Sequence, residues 1–189
     1  MGGTDELSGR LQISLDRLQA GDESARDELI HYSCERLKSL ARKMMRPFGR
    51  LYRWEETDDV FQDAMLRLHR CLEDVRPESV AQFFGLAATQ IRRTLLDMAR
   101  RYYGPEGPGT HGHVNIGESN EPANPGQWVE FYEVLDTLPE DERAVVDLLW
   151  FEGLTQAEAA VALGVNERTI RRRWYSARYF LHKVLRHEP

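Results

Sequence analysis

Apolar residues recur at three- and four-residue spacing along most of the chain, and almost nowhere alternate with period two. That pattern predicts an all-α protein. A short first helix is expected over about Leu11 to Ala20. A second runs from near Asp22 to Met45, with Leu29, Leu37, Leu40, Ala41 and Met44 on its apolar side. Pro47 and Gly49 then break the chain. A third starts near Thr57, an expected N-cap, with Asp58 and Asp59 suited to the positive helix start. Its stripe is Phe61, Ala64, Met65, Leu68 and Leu72. The fourth covers about Ser79 to Tyr103, with Phe84, Ala87, Ala88, Ile91, Leu95 and Met98 inward.

The periodicity stops at residues 104–127, GPEGPGTHGHVNIGESNEPANPGQ. Gly, Pro, Asn and Ser dominate there, as in a flexible linker. Two helical domains are therefore expected, residues 1–103 and 128–189, joined by residues 104–127. The second should open with a helix over Trp128 to Asp136. Thr137 and Glu140 have capping-box spacing for a helix ending near Glu152, and Gly153 stops it. Thr155 and Glu158 repeat that spacing before a short helix ending at Leu163. Gly164 then supplies a tight turn, and Asn166 caps a last helix running to about Leu185.

A short capped helix, a glycine turn and a longer helix make a helix-turn-helix pattern. On the last helix, Ile170, Trp174, Ala177 and Leu181 form a narrow stripe that should pack inward. Arg168, Arg172, Tyr175 and Tyr179 fall opposite, with Arg171 and Arg178 on one flank. Arg173 lies nearer the buried edge and could reach a phosphate past it. Arginine can grip guanine or phosphate with two parallel hydrogen bonds, and Thr169 can meet a phosphate or a thymine methyl. The candidate duplex contacts are Arg168, Thr169, Arg171, Arg172, Arg173 and Tyr175. A solvated arginine face is the plainer alternative, but the cluster at this place in this motif favours DNA.

Charge complicates that reading before it helps. The formal net charge is -6. Residues 1–103 balance 17 basic against 17 acidic side chains, whereas residues 104–142 hold nine acids and no Lys or Arg. Residues 168–189 hold seven basic residues against one acid. A local basic patch can bind phosphate whatever the global sum. The acidic linker, with Glu106, Glu118 and Glu121, could compete with DNA for a basic face of the free protein or track near a basic surface of a partner.

Other chemistry finds little support. No apolar run approaches the roughly 18 residues of a membrane helix, and the N-terminus lacks a signal pattern. A cytoplasmic protein with no membrane insertion is expected. Cys34 and Cys71 read as reduced, half-buried thiols. His111 and His113 have no Cys or carboxylate at ligand spacing. No Gly-rich phosphate loop or nucleophile–base pair is present, so no catalytic residue, metal or cofactor is expected. A metal-dependent nucleic-acid enzyme built on Asp58, Asp59 and Asp63 would need a basic channel beside them, and the pattern offers none.

The segments TDDVFQDAMLRLHRCLED and QFFGLAATQIRRTLLDMARRYYG resemble the second conserved region of sigma-70-type sigma factors. LDTLPEDER through RTIRRRWYSARYFLHKVL is similar to their fourth region. The resemblance covers about residues 10–103 and 128–186, and is nearest the small extracytoplasmic-function (group IV) sigma factors. It implies a subunit that binds core RNA polymerase and directs promoter-specific initiation. The third helix would dock on a coiled coil of the largest subunit through Asp59, Gln62, Asp63 and Leu66, and the flap would be a further polymerase contact. The fourth would engage the promoter's -10 element through Gln90, Arg92, Arg93, Asp97, Arg100 and Arg101. The loop Arg76 to Gln82 would pocket an unstacked base, with Trp54, Tyr102 and Tyr103 as aromatic candidates that core packing explains equally well. The last helix would read the -35 element. Many relatives are held by an anti-sigma protein, which this sequence does not specify. The chain departs from the family in its short RRYYG tail and in Asn166-Glu167-Arg168, so no relative's promoter sequence transfers to it. The rival reading is a helix-turn-helix regulator acting without replacing the sigma subunit.

Overall fold

A computed structural model describes residues 3–46, 48, 54–103 and 125–186. Every regular element among them is helical: α1 (Gly3–Gln19), α2 (Ala25–Met45), α3 (Trp54–Asp74), α4 (Val80–Tyr103), α5 (Pro125–Asp136), α6 (Glu140–Val146), a π-helical turn (Asp147–Phe151), α7 (Gln156–Ala162) and α8 (Glu167–Leu185). In the N-terminal half, α2 and α4 pack with α1 and α3 as a four-helix bundle. In the C-terminal half, α5, α6 and α7 all pack on α8.

The apolar stripes read from spacing are the ones buried. Leu29, Leu37, Leu40, Ala41 and Met44 of α2 meet Ala64, Leu68 and Leu72 of α3 and Phe84, Ala88, Ile91 and Leu95 of α4 in one core. The turn between α1 and α2 is set by Gly21 at φ 95° and by Asp22, which accepts from Ser24 and from Arg17. Those contacts hold the Asp22 carboxyl below its ordinary pKa, the Ser24 hydroxyl first and Arg17 second. At the start of α4, Ser79 accepts from the Gln82 N–H at 3.2 Å, and the Gln82 side chain accepts from the Glu78 N–H at 2.7 Å.

Several boundaries differ from expectation. Helix α1 begins at Gly3 rather than near Leu11. Helix α3 begins at Trp54, so Thr57 lies inside its first turn instead of capping it. Helix α5 takes in Pro125, Gly126 and Gln127, three residues expected in the linker. Residues 104–124 lie outside the described residues, and with them His111, His113, Glu106, Glu118 and Glu121. The capping box of Thr137 and Glu140 does not form. Pro139 is the N-cap of α6, and the Thr137 hydroxyl donates to the Val134 carbonyl at 2.7 Å, closing α5 instead. Glu140, Asp141 and Glu142 still favour the first turn of α6 through its dipole. That helix does not run evenly to Glu152. It widens at Asp147 into the π turn, which adds a residue and re-aims the side chains that follow.

The two halves are not held apart. One buried cluster runs from α1–α4 into Tyr132 and Leu135 of α5, Val146, Phe151, and Ala177 and Leu181 of α8. Helix α4 contacts both α5 and the π turn, and α2 contacts the π turn. Thr89, Arg92, Leu96 and Ala99 recur at helical spacing on α4 and are all buried. Helix α4 thus has a second inward face besides the one its main apolar stripe supplies.

Candidate nucleic-acid interface

The helix-turn-helix is assembled by its local signals. Thr155 accepts from the Glu158 N–H at 3.2 Å, and Glu158 accepts in return from the Thr155 N–H at 2.8 Å. That return bond, helped by the Thr155 hydroxyl, holds the Glu158 carboxyl below its usual range. Gly164 takes φ 63°, a conformation that favours glycine. The Asn166 side chain accepts from the Thr169 N–H at 2.8 Å and opens α8. Ala159, Ala160 and Ile170 are buried together at the turn.

This fixes what α8 presents. Arg168, Arg171 and Arg172 are exposed at its N-terminal end, and Tyr175 and Tyr179 continue the open face at 71% and 73% exposure. Arg171 is lightly held by Glu167 at 3.1 Å. The Thr169 hydroxyl is engaged with the Asn166 side chain at 3.1 Å, so its methyl is the freer group. Arg173 is ion-paired with Asp141 at 2.8 Å, without hydrogen-bond alignment, and is largely covered. It braces α8 on α6.

Beside this face, Phe131, Trp150, Trp174, Tyr175 and Tyr179 line a groove of about 400 Å³ between α5, the π turn and α8. Trp150 is half exposed there. The Arg178 guanidinium lies 5.9 Å from the Trp174 ring centre. Spacing alone marked the two tyrosines but not the groove, because its other wall comes from Phe131 and Trp150.

On α3, Asp59, Gln62, Asp63 and Leu66 are all exposed, at spacing that places them on one face. Leu66 is 57% exposed. Acidic, amide and apolar groups are therefore offered together. Among the described residues no three His, Cys, Asp or Glu side chains converge as a metal site.

The α4 residues divide. Arg93, Arg100 and Arg101 are exposed, and Asp97 is half-buried and paired with Arg67 at 2.7 Å. Gln90 and Arg92 are not on the open face at all. Gln90 is 6% exposed and Arg92 is fully buried. Arg92 Nε donates to Asp136 at 2.8 Å, and its terminal nitrogens meet Asp147 at 3.1 and 3.4 Å. Arg100 meets Glu133 at 2.9 Å, and Arg36 of α2 meets Glu152 at 2.6 Å while covering the Phe84 ring at 3.9 Å. Tyr132 adds a hydrogen bond from its hydroxyl to the Met44 carbonyl at 2.6 Å. Glu133, Asp136, Asp147, Glu152 and Tyr132 were not singled out in the sequence. An Asp within the apolar run VVDLLWF was the one available signal. The loop before α4 is tied to α1, where Gln19 donates to the Pro77 carbonyl and Arg76 to the Gln19 carbonyl. Trp54, Tyr102 and Tyr103 lie in helices, but their side chains fall outside the described residues.

A family model described as ECF sigma factor matches residues 10–187, taking in α3, α8 and everything between them. The chain belongs to the ECF sigma factor family. That family consists of non-enzymatic transcription factors that work with RNA polymerase and promoter DNA. No curated protein matches this sigma factor. Among solved structures, CnrH in complex with the cytosolic domain of CnrY aligns at 20% identity, over 94% of this chain and 98% of that one, with a TM-score of 0.39. No described helix of this sigma factor is long and apolar enough to cross a membrane.

Proposed function

We propose that this chain is a dissociable initiation subunit whose two halves act as separate domains on polymerase-bound promoter DNA. The observation that carries the reading is the pairing, on one chain, of two open faces of different chemistry. The α3 face of Asp59, Gln62, Asp63 and Leu66 suits a protein surface, because its carboxylates would repel DNA and Leu66 gains by burial. The α8 face of Arg168, Arg171 and Arg172 suits duplex DNA, with a side-chain cap at the N-terminal end that would enter the major groove. Core polymerase would take the first through its largest-subunit coiled coil. Its flap would take the aromatic groove beside α8. Arg93, Arg100 and Arg101 of α4 would hold strand phosphates of the melted downstream element.

The test is co-migration of the purified chain with core RNA polymerase, followed by runoff transcription from genomic promoter fragments. Co-migration and a defined start site are expected. A chain that neither binds core nor supports initiation would sink the reading. Tight operator binding without polymerase, by a dimer, would instead support a helix-turn-helix regulator.

A further inference from the structure

Helix α8 carries one acid, Glu167, in a run that also holds Arg168, Arg171, Arg172, Arg173 and Arg178. The helix dipole favours an acid in the first turn, which accounts for its being tolerated there. Its neighbours make it matter for base reading. Asn166 and Thr169 engage each other: the Asn166 side-chain oxygen accepts from the Thr169 N–H at 2.8 Å and from the Thr169 hydroxyl at 3.1 Å. Glu167 is therefore the side chain that brings open acceptors to the first turn of α8. One of its oxygens accepts from Arg171 at 3.1 Å, and both side chains stay open, Glu167 at 46% and Arg171 at 58% exposure. Arg168, next in sequence, is exposed as well. The carboxylate thus lies among arginines at the helix end assigned above to the major groove.

A phosphate or a guanine edge draws Arg171 away from Glu167, since either offers acceptors to the guanidinium. The carboxylate is then left in the groove, short of water and facing base edges, and it can only accept. Cytosine shows an amine donor there and no acceptor. Guanine shows two acceptors, thymine an acceptor and a methyl, and adenine a donor beside the N7 acceptor. On cytosine the N4 amine takes the place that Arg171 vacated. On any other base the carboxylate meets an acceptor or apolar surface, and its lost hydration is not replaced. We propose that Glu167 selects cytosine at one position of the duplex site, by rejecting the other three bases and not by adding affinity. On the matched duplex one donor replaces another, so overall affinity barely registers the residue; on mismatched duplexes it does. This deepens the initiation reading and rests on one part of it, that α8 reads duplex DNA. The segment Asn166-Glu167-Arg168 is where the sequence departs from its family, so the selection belongs to this chain.

The test uses the full chain, alone and bound to core RNA polymerase, with a randomised duplex library sequenced before and after selection. The parent is compared with Glu167→Ala, Glu167→Gln and Arg171→Ala, and fluorescence anisotropy then measures the parent's best duplex and its single-base variants. The parent site should contain one position where cytosine is preferred about 10-fold over the other bases. Glu167→Ala should level that position alone, by tightening binding to the three mismatched duplexes while the cytosine duplex stays level or gains slightly. Glu167→Gln should move the preference to adenine, whose N6 and N7 suit an amide. Arg171→Ala should bind more weakly and keep the cytosine preference. An unchanged base profile in Glu167→Ala would overturn the proposal. So would an equal gain on every sequence, which would make Glu167 a repeller of phosphate only, or an equal loss on every sequence, which would make it a support for the helix start. Loss of the cytosine preference in Arg171→Ala but not in Glu167→Ala would assign the selection to Arg171 and overturn it too. A parent that enriches no duplex, with or without polymerase, would overturn the duplex reading itself and the proposal with it, whereas a parent site indifferent to Glu167 overturns the proposal alone.

Discussion

Arg92 on α4 and Asp147 on the π turn meet at 3.1 Å with almost no solvent on either, their side chains 0% and 5% exposed. Loss of water pushes the Asp147 carboxyl up from 3.8 to about 6, against the pull of Arg92 and then Arg143; Asp136 and Glu152 push the same way as burial. A raised carboxyl destabilises the fold where it is ionised, because the unfolded chain would hold that charge in water. The penalty is fully present above pH 6, fades as pH falls toward 3.8, and is absent below. Between pH 7 and 5 the folded chain takes up a proton that the unfolded chain does not, worth on the order of 1 kcal/mol. Unfolding free energy of the parent should therefore rise over that interval relative to Asp147→Asn. Denaturant titrations of both proteins across pH 5 to 7 check this, since histidines common to both cancel. Parallel pH curves would contradict it.

Removing the other partner has the opposite character. Arg92→Ala leaves Asp147 buried with its nearest cation gone, and should cost about 3–5 kcal/mol, as breaking a buried pair from one side does. Much of that cost is the stranded carboxylate. Adding Asp147→Asn should recover part of it, so the double variant is more stable than Arg92→Ala alone. A double-mutant cycle by urea unfolding measures the coupling, and additive costs would show that the two side chains do not act as a pair.

Helix existence was legible because 3.6-residue periodicity reports burial directly, and the stripes on α2, α3 and α4 became the core as spacing required. The caps at Thr155 and Asn166 were legible for a similar reason: each depends on residues within one turn. Thr137 shows the limit, because a Thr can close the helix before it as readily as open the one after, and Pro139 decided for the first. The burial of Arg92 was not legible. Its place beside Arg93 on a helical wheel suggests an open basic face, and only the approach of Asp136 and Asp147, 44 and 55 residues away, makes an internal site for it. Exposure of Asp59, Gln62, Asp63 and Leu66 was legible, since those positions avoid the α3 stripe and no other element among the described residues covers them.

The two local caps should be separable in stability. Asn166→Ala removes the acceptor for the Thr169 N–H and frees the Thr169 hydroxyl, and should cost about 1 kcal/mol. Thr155→Ala breaks both bonds of its box and should cost a similar amount, about 1 kcal/mol. Hydrogen exchange should localise each loss to its own helix, α8 or α7. A protection loss spread evenly over α1–α4 as well would mean that these caps hold more than their helices.

The arginines of α8 should divide by what they touch. Arg168 and Arg172 are exposed and have no ion-pair partner among the described residues, so Ala at either should weaken duplex binding and lower the salt slope by about 1. If one of them reads a guanine edge, its loss should also relax preference at that base, whereas a phosphate contact would weaken all sequences alike. Arg171 must first leave Glu167, so Glu167→Ala should leave duplex affinity unchanged or slightly improved, despite removing an i, i+4 pair. Arg173 is committed to Asp141 and mostly covered, so Arg173→Ala should act chiefly on stability, with little change in salt slope. Fluorescence anisotropy with promoter duplex over a range of salt concentrations separates these cases. Equal slope changes for Arg172→Ala and Arg173→Ala would show that Arg173 swings free of Asp141 to meet phosphate.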